Sequence, residues 1–170
     1  MIKEIMQLGA PVLREMAKPV VLNADTEIII QNMKDTLANT QGVGIAAPQI
    51  GVSAQIMIIA SRPTQRYPNA PFMPPTVMLN PSFKPLSDIK EKGWEGCLSI
   101  PSIRALVPRY TMIEVQYLNE QGEFIKIELS DFTARVFQHE YDHLIGKVFL
   151  DNIETTLDII SETEYFKLIA

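Results

Sequence analysis

The first half of the chain shows one clear helical pattern. Apolar residues recur at every fourth position within residues 25–40, which places them on one face of an α-helix. These residues are Ile29, Met33 and Leu37. Asp25 or Thr26 is expected to cap the start of this helix, and Gly42 follows its end. The pattern therefore predicts a helix whose apolar face covers a sheet.

Two predicted strands flank a proline-rich segment. Residues 54–60 (AQIMIIA) form a short continuous apolar run, which is typical of a buried strand. Residues 62–76 contain five prolines and show no apolar period, so we expect an ordered surface loop there. Residues 77–83 (VMLNPSF) resume the sheet. Pro81 and Pro85 favour an edge strand, because proline cannot donate to the hydrogen bonds of a sheet.

A regular alternation of apolar and polar residues follows in the second half of the chain. The apolar positions are Ile113, Val115, Tyr117, Ile125, Ile127 and Leu129. With a turn at residues 119–122 between the two runs, this alternation predicts a hairpin with one solvated face. A second helix is expected to begin after Ser130 or Asp131 and to end at Gly146.

The second helix contains the only two histidines of the chain, within the sequence HEYDH. His139 and His143 are four residues apart, so both imidazoles lie on one face of the helix and can reach one divalent metal. Glu140 is rotated by roughly 100° from His139, where it is suited to act as a general base on metal-bound water. Two histidines at this spacing also occur on ordinary surface helices, but the glutamate between them favours the metal site.

The only cysteine, Cys97, lies in the sequence EGCLS. A free cysteine is most often a small buried hydrophobe, and a single one forms no internal disulfide, which fits a reducing compartment. Because a histidine pair needs a third ligand and a thiolate binds zinc or iron strongly, we interpret Cys97 as that ligand. Three protein ligands leave one position for water, which is typical of a catalytic metal site.

Composition and charge narrow the class of protein. The chain has 170 residues, of which 46% are hydrophobic and 21% are charged, and these values predict one globular, soluble domain over residues 1–170. No run approaches the ~20 apolar residues that span a bilayer, and the start of the chain does not resemble a secretory signal. A net charge of −5 argues against a broad nucleic-acid surface. We therefore expect neither DNA nor a membrane among its partners.

Three motifs occur in order: GVGIAAPQ at residues 42–49, EGCLS at residues 95–99 and QHEYDHLIG at residues 138–146. The first motif alone is a weak signal and lacks the third glycine of a dinucleotide fingerprint. Together the three motifs resemble the peptide deformylase family over nearly the whole chain. The resemblance implies an α+β fold in which antiparallel strands wrap the central helix that carries HEYDH. It also implies removal of the formyl group from the N-terminal formyl-methionine of newly made polypeptides, in the cytoplasm of a bacterium or in an organelle of bacterial descent.

The same resemblance implies roles for individual residues. The implied metal ligands are Cys97, His139 and His143. Glu140 is the implied general base and acid, and Gln49 and the backbone N–H of Leu98 are the implied oxyanion contacts. Metal-bound hydroxide would attack the formyl carbon, and Glu140 would pass the water proton to the leaving amine. The family uses Fe²⁺, and a mixed nitrogen and sulfur site also suits Zn²⁺, Co²⁺ or Ni²⁺.

Substrate contacts are expected in three places. The resemblance implies that Val43 and Gly44 pair with the substrate backbone and that Arg104 also contacts the substrate. It further implies a supporting ion pair between Glu95 and Arg109.

Helical spacing adds a third substrate contact. Phe132 and Val136 precede His139 by seven and three residues, so both lie within roughly 60° of its direction. Residues at this spacing are usually ordinary core, but next to a metal ligand they are expected to form an apolar floor for the methionine side chain.

Two other functions stay open on the sequence alone. HEYDHLIGKVF begins the pattern of a zincin-type endopeptidase, but Phe149 stands where the third histidine would be. A zincin could use Glu162 or Glu164 instead, and Cys97 would then have no role. The second alternative is a non-catalytic module stabilised by metal, which would need a carboxylate as fourth ligand, an uncommon choice at structural zinc.

The end of the chain, about residues 151–170, is an acidic tail with five acidic residues and one lysine. Some members of the family are thought to dock on the ribosome through a basic C-terminal helix. Ribosomal RNA phosphate would repel an acidic tail, so a transient ribosome contact is not expected through this segment.

Overall fold

The computed structural model describes residues 1–170 and contains two antiparallel sheets with one helix packed between them. The α-helices are α1 (Ala24–Ala38), α2 (Asp131–Leu144) and α3 (Glu162–Ile169). The strands are β1 (Gly44–Ala46), β2 (Ile56–Ser61), β3 (Met73–Pro85), β4 (Lys90–Cys97), β5 (Ile100–Tyr110), β6 (Met112–Leu118), β7 (Phe124–Ser130) and β8 (Ile159–Ser161). Short 3-10 helices occupy Pro11–Arg14, Ala47–Ile50, Phe149–Asn152 and Thr156–Asp158. The predicted α+β fold, with antiparallel strands around the HEYDH helix, is confirmed.

The larger sheet has the strand order β1-β2-β3-β6-β7, and the smaller sheet has the order β4-β5-β8. The β6–β7 hairpin has the predicted pattern, with Ile113 opposite Leu129 and Val115 opposite Ile127. Because side chains alternate between the faces of a strand, these four residues enter one core together. The same core receives Phe137 from α2, so the hairpin helps to hold the helix in place.

The strand after the proline-rich segment is central, so the prediction of an edge strand was wrong. β3 lies between β2 and β6. It tolerates its prolines because it is irregular: Asn80 has a φ of 48°, and the pairing with β6 shifts between Leu79 and Ser82. Pro81 lies in this bulge, where the ladder needs no donor, and Pro85 is the last residue of the strand.

The two longer helices lie close to their predicted positions. The start of α1 is capped by Asn23, whose side-chain oxygen accepts a hydrogen bond from the N–H of Thr26 at 3.0 Å, so the expected cap at Asp25 or Thr26 was wrong. α2 follows Ser130, and Gly146 just beyond its end has a φ of 74°, a left-handed conformation that glycine adopts most easily. None of the helices combines the length and the apolar composition needed to cross a bilayer.

The acidic tail folds against the rest of the chain as a strand followed by a helix. β8 pairs with β5 of the smaller sheet, and α3 then buries the ring of Tyr165. The Tyr165 hydroxyl donates a hydrogen bond to the backbone carbonyl of Arg66 at 2.7 Å. The predicted surface loop, which ends earlier than expected because β3 begins at Met73, therefore contacts the tail.

Candidate metal centre

A helix and the end of a strand bring together three side chains that bind metals. α2 presents His139 and His143 with their ring centroids 5.3 Å apart. Cys97, the last residue of β4, lies opposite them, and its Sγ is 3.4 Å from Nε2 of His143. One donor atom from each of the three residues lies within 4.8 Å of the others, and all three side chains are buried. Two imidazoles and one thiolate are a suitable donor set for a divalent metal.

Glu95 orients one of these imidazoles. The Nδ1–H of His139 donates to a carboxylate oxygen of Glu95 at 2.8 Å, which leaves Nε2 available to a metal. Arg109 donates two hydrogen bonds of 2.9 Å to the same carboxylate, and Arg135 donates one of 2.8 Å. Burial alone would raise the pKa of Glu95, but the charge of Arg109 and the hydrogen bonds hold it well below its usual range. The carboxylate therefore stays charged and fixes the orientation of His139.

Gln49 reaches Cys97 from the short helix after β1. Its side-chain oxygen accepts a hydrogen bond from the N–H of Ala46 at 2.8 Å, which fixes the direction of the amide. The amide nitrogen is then 3.5 Å from Sγ of Cys97 and 3.2 Å from Oγ of Ser99. Burial opposes ionisation of the thiol, but the adjacent imidazoles, His143 before His139, lower the pKa of Cys97 well below its ordinary value. The surroundings favour the thiolate, the form that binds metals.

Glu140 lies beside the donor cluster without belonging to it. The side chain is buried, and its Oε2 makes no hydrogen bond within the protein. Burial raises the pKa of this carboxyl to about 7, against the opposing effects of His139 and His143. A buried carboxylate oxygen without a partner is costly unless a bound polar group contacts it. The residues present therefore fit a catalytic metal site with a free carboxylate next to it.

Gly44 makes room for Glu140. A Cβ built at Gly44 would lie 2.5 Å from Oε1 of Glu140, which is closer than real side chains approach. β1 forms an edge of the larger sheet and pairs only with β2, so one side of its backbone has no strand partner. Val43 and Gly44 line the same pocket as Glu140, which places this strand next to the metal donors.

We expect Gly44→Ala to lower kcat by at least about tenfold, because the added methyl would displace the Glu140 carboxylate and misplacements of about 1 Å are costly in catalysis. Steady-state kinetics at matched metal content would measure this loss. Gly42→Ala is the control, since the atoms nearest to its Cβ belong to the side chains of Leu98 and Thr40 rather than to Glu140. An unchanged kcat in Gly44→Ala would mean that Glu140 does not need its present position.

A pocket extends from the metal donors toward the proline-rich segment. Phe132 and Val136 of α2 line it together with Cys97 and His139. Tyr67 of the proline-rich segment lies against Phe132, with the ring centroids 4.8 Å apart. The other predicted site residues on its wall are Val43, Gly44, Gln49, Leu98 and Glu140. The structure thus brings every predicted site residue except Arg104 into this pocket or into the adjoining donor cluster.

The sequence profile of polypeptide deformylase matches residues 2–157. The chain belongs to the polypeptide deformylase family. Peptide deformylase 2 of Nostoc sp. is 48% identical to it over 97% of this chain and 93% of its own length. Peptide deformylase 1 of Bordetella pertussis is 47% identical over 88% and 86%, respectively. The class I type b peptide deformylase of Acinetobacter baumannii, solved with Met-Ala-Ser bound, has a TM-score of 0.87 and 39% identity over 90% of this chain and 99% of that chain.

The deformylase family and activity predicted from the three motifs are thereby confirmed. The zincin and the metal-stabilised module are not favoured. Glu162 and Glu164, the two ligands open to the zincin, lie on α3, where Glu162 pairs with Arg66 and Arg104 and Glu164 pairs with Lys167. The donor cluster of the deformylase contains Cys97, which the zincin would leave without a role.

Arg104 is the predicted site residue that does not line the deformylase pocket. It is 3% exposed, and its guanidinium pairs with Glu162 of α3 at 3.2 Å and lies over the ring of Tyr165. It also packs so closely on Gly96 that no side chain would fit at that position. Residues of the tail thus surround Arg104. The contact of Arg104 with a substrate stays a prediction.

Four residues on the pocket wall lie outside the predicted site residues and the three motifs: Gln41, Arg66, Tyr67 and Arg135. Arg66 and Tyr67 lie in a segment without periodicity, so no local pattern could have indicated them. Arg135 could have been found, because it precedes His139 by four residues and therefore shares its face of the helix.

Proposed function

We propose that the chain hydrolyses the formyl amide at the N terminus of newly made polypeptides whose first residue is formyl-methionine. The observation that carries the proposal is a buried Cys97, His139 and His143 cluster, with Glu140 beside it, at one end of a pocket whose wall includes Phe132 and Val136. The relative from Acinetobacter baumannii was solved with a peptide that begins with methionine, which supports methionine as the first side chain.

We propose that Cys97, His139 and His143 hold one divalent metal ion, natively Fe²⁺. The bound metal would supply a Lewis acid that polarises the formyl oxygen and lowers the pKa of a water molecule. The donor set would also accept Zn²⁺, Ni²⁺ or Co²⁺ in a purified sample. Glu95 supports this site by orienting the His139 ring and by keeping Nε2 unprotonated.

Glu140 is proposed to move the proton. Its carboxylate takes a proton from the attacking water and returns it to the amine that leaves. A pKa of about 7 suits a group that must both accept and donate a proton near neutral pH. The free Oε2 atom gives this carboxylate an oxygen with which to accept.

Two further contacts are proposed around the formyl group and the peptide. The Gln49 amide, fixed by Ala46, and the backbone N–H of Leu98 would stabilise the oxyanion. Val43 and Gly44, on the edge strand β1, would hydrogen-bond to an extended substrate as an added strand. This pairing would align the first side chain with the pocket and the formyl carbon with Glu140.

The apolar floor is tested with charged substitutions. Val136→Asp or Phe132→Asp is expected to raise KM for formyl-Met peptides far more than for formyl-peptides that begin with a small residue. The physical reason is that burying the methionine side chain should contribute roughly 1.5–3 kcal/mol, which a charged wall would remove. Steady-state kinetics on both substrates would measure the difference. Equal losses on both substrates, with the fold intact by circular dichroism, would show that these residues do not form the methionine pocket.

The proposed activity is tested directly on anaerobically purified protein, because a thiolate next to ferrous iron is sensitive to oxygen. Release of formate from a formyl-Met peptide is expected, and the same sample is analysed for its metals. Iron in stoichiometric amount would support Fe²⁺ as the native ion. Failure of metal-loaded protein to release formate would overturn the proposal.

We propose that residues 1–170 act as one catalytic domain in a bacterial-type cytoplasm or an organelle of bacterial descent. The pairing of β8 with β5 supports the single domain, since it joins the tail to the sheet that carries Cys97. Nascent polypeptides bring the protein near the ribosome, but the acidic tail argues against docking through that segment. The tail instead contacts the proline-rich segment, through Tyr165 and Glu162 on Arg66.

A further inference from the structure

Tyr67 lies between two spaces on the surface of the protein, and Arg66, Phe132 and Arg135 border both spaces with it. On one side it lines the pocket of the metal centre together with Phe132 and Val136. On the other side it lines an outer groove together with Trp94 and Tyr165. Desolvation raises the pKa of its phenol to about 12, so the side chain stays neutral at physiological pH. An uncharged aromatic ring in this position is a wall for an apolar substrate side chain.

The backbone around Tyr67 is held in a tight turn. Thr64 and Tyr67 exchange two backbone hydrogen bonds of 3.1 Å, and the Thr64 hydroxyl accepts a third from the N–H of Tyr67 at 3.0 Å. The N–H of Ala70 donates to the Tyr67 carbonyl at 3.2 Å. These bonds fix the shape of the turn, but they do not attach it to the body of the protein.

The acidic tail attaches the turn through polar contacts, in addition to the packing of Tyr67 on Phe132 of α2. The Tyr165 hydroxyl donates to the Arg66 carbonyl at 2.7 Å, next to Tyr67. The Arg66 guanidinium also donates to Glu162 at 3.3 Å, and the same Glu162 oxygen pairs with Arg104 of β5 at 3.2 Å. Glu162 thus links the proline-rich segment to the smaller sheet. The two contacts with Arg66 join residues that are 99 and 96 positions apart in sequence, so they hold the turn against the fold.

We infer that Tyr67 determines specificity for the first side chain of the substrate, and that Tyr165 and Glu162 of the tail are positioning residues for it. The inference rests on the proposed deformylase function and assigns a role to the acidic tail. The floor of the pocket is formed by Phe132 and Val136, and Tyr67 closes the side that faces the groove. Without this wall an unbranched side chain such as methionine would lose one of its apolar contacts, whereas an alanine side chain would not reach it.

The first test measures binding of two unformylated peptides, Met-Ala-Ser and Ala-Ala-Ser, to nickel-loaded protein by calorimetry. Tyr67→Ala is expected to weaken binding of Met-Ala-Ser about tenfold, equivalent to ~1.4 kcal/mol, through the lost apolar contact. Binding of Ala-Ala-Ser should change by less than about twofold. Tyr67→Phe is the matched control and should retain wild-type preference, because its hydroxyl makes no hydrogen bond in this structure. Equal weakening of both peptides, or none, would overturn the role of Tyr67.

The second test separates positioning from general stability. Tyr165→Phe removes one hydroxyl and keeps the ring that packs on Trp94 and Arg104. It should lower the preference for Met-Ala-Ser over Ala-Ala-Ser about threefold, a typical value for one lost hydrogen bond. Tyr117→Phe, on β6 of the larger sheet, is the control with the same chemical change and should leave the preference unchanged.

Non-additivity decides whether the tail acts through Tyr67. In the Tyr67→Ala background, Tyr165→Phe should cause no further loss of preference, because the residue that it positions is absent. A full additional loss would show that Tyr165 acts by another route and would overturn the positioning role. Formate release by the wild-type protein is measured in parallel. Its absence would refute the proposed function, whereas activity with unaltered preferences in the variants would refute only the present inference.

Discussion

Replacing Glu140 with glutamine is expected to leave the metal bound and to lower kcat by about 10²–10⁴, the usual contribution of general acid–base catalysis. Glutamine keeps the size of the side chain, so the close packing against Gly44 is preserved. It cannot accept and return a proton, however, so the attacking water would lose its base. Metal analysis and steady-state kinetics on the same sample would separate the two effects.

The control for Glu140→Gln is Glu128→Gln, the same substitution at an exposed position of β7. Glu140→Ala should behave like Glu140→Gln, since neither side chain can carry the proton. Activity near wild type in both variants would mean that another group handles the proton. Loss of the metal in Glu140→Gln would place this carboxylate among the ligands and contradict its separation from the donor cluster.

The second large effect is expected from the metal donors. Cys97→Ala, His139→Ala and His143→Ala should each lose the metal together with the activity, because three buried donors form the whole cluster and none has a substitute within it. Elemental analysis of each purified variant would measure the metal directly. The metal content is measured independently of the activity. A variant that has lost its metal can therefore be told apart from one that keeps the metal but no longer catalyses the reaction.

Ser99→Ala is the control for the cysteine substitution, because Ser99 is buried in the same turn and contacts Gln49 but lies outside the donor cluster. It should keep its metal. A Cys97→Ala variant with full metal content would remove the thiolate from the site. Such a result would restore the endopeptidase hypothesis, in which a carboxylate takes the place of the cysteine.

Some features follow from local geometry and were predicted correctly for that reason. The four-residue spacing of His139 and His143 needs only a helix to place both rings on one face, and the structure has that helix. The alternation in the β6–β7 hairpin likewise fixes which residues enter the core, since strand side chains alternate in direction. The same helical period correctly predicted that Phe132 and Val136 lie on the same side of α2 as His139, where both line the pocket.

The position of Cys97 does not follow from local helix or strand geometry. Its distance of 42 or more positions from the histidines gives no geometric information, and its assignment depended on the chemistry of the donor set and on the resemblance of the motifs. The smaller sheet brings it to α2, and ion pairs of Glu95 with Arg135 and of Arg109 with Asp142 hold the two elements together. The sequence pattern of a single strand therefore does not show that Cys97 lies close to α2.

Position within a sheet was also decided only by the tertiary structure. The prolines of β3 favoured an edge, but a bulge at Asn80 and Pro81 removes the need for a donor and lets the strand lie in the centre. The outcome depends on which strands pair on either side, and those partners lie far away in sequence.

By itself, the sequence determined the HEYDH helix and the hairpin and, through its three motifs, the family and the fold class that the family implies. The tertiary structure decided where Arg104 lies and how the acidic tail meets Arg66 and Tyr67. The physical reason is the range of the contacts. Helix and strand periods are set by neighbours along the chain, whereas Glu162 contacts Arg66 across 96 positions, and such a contact exists only once the whole chain is packed.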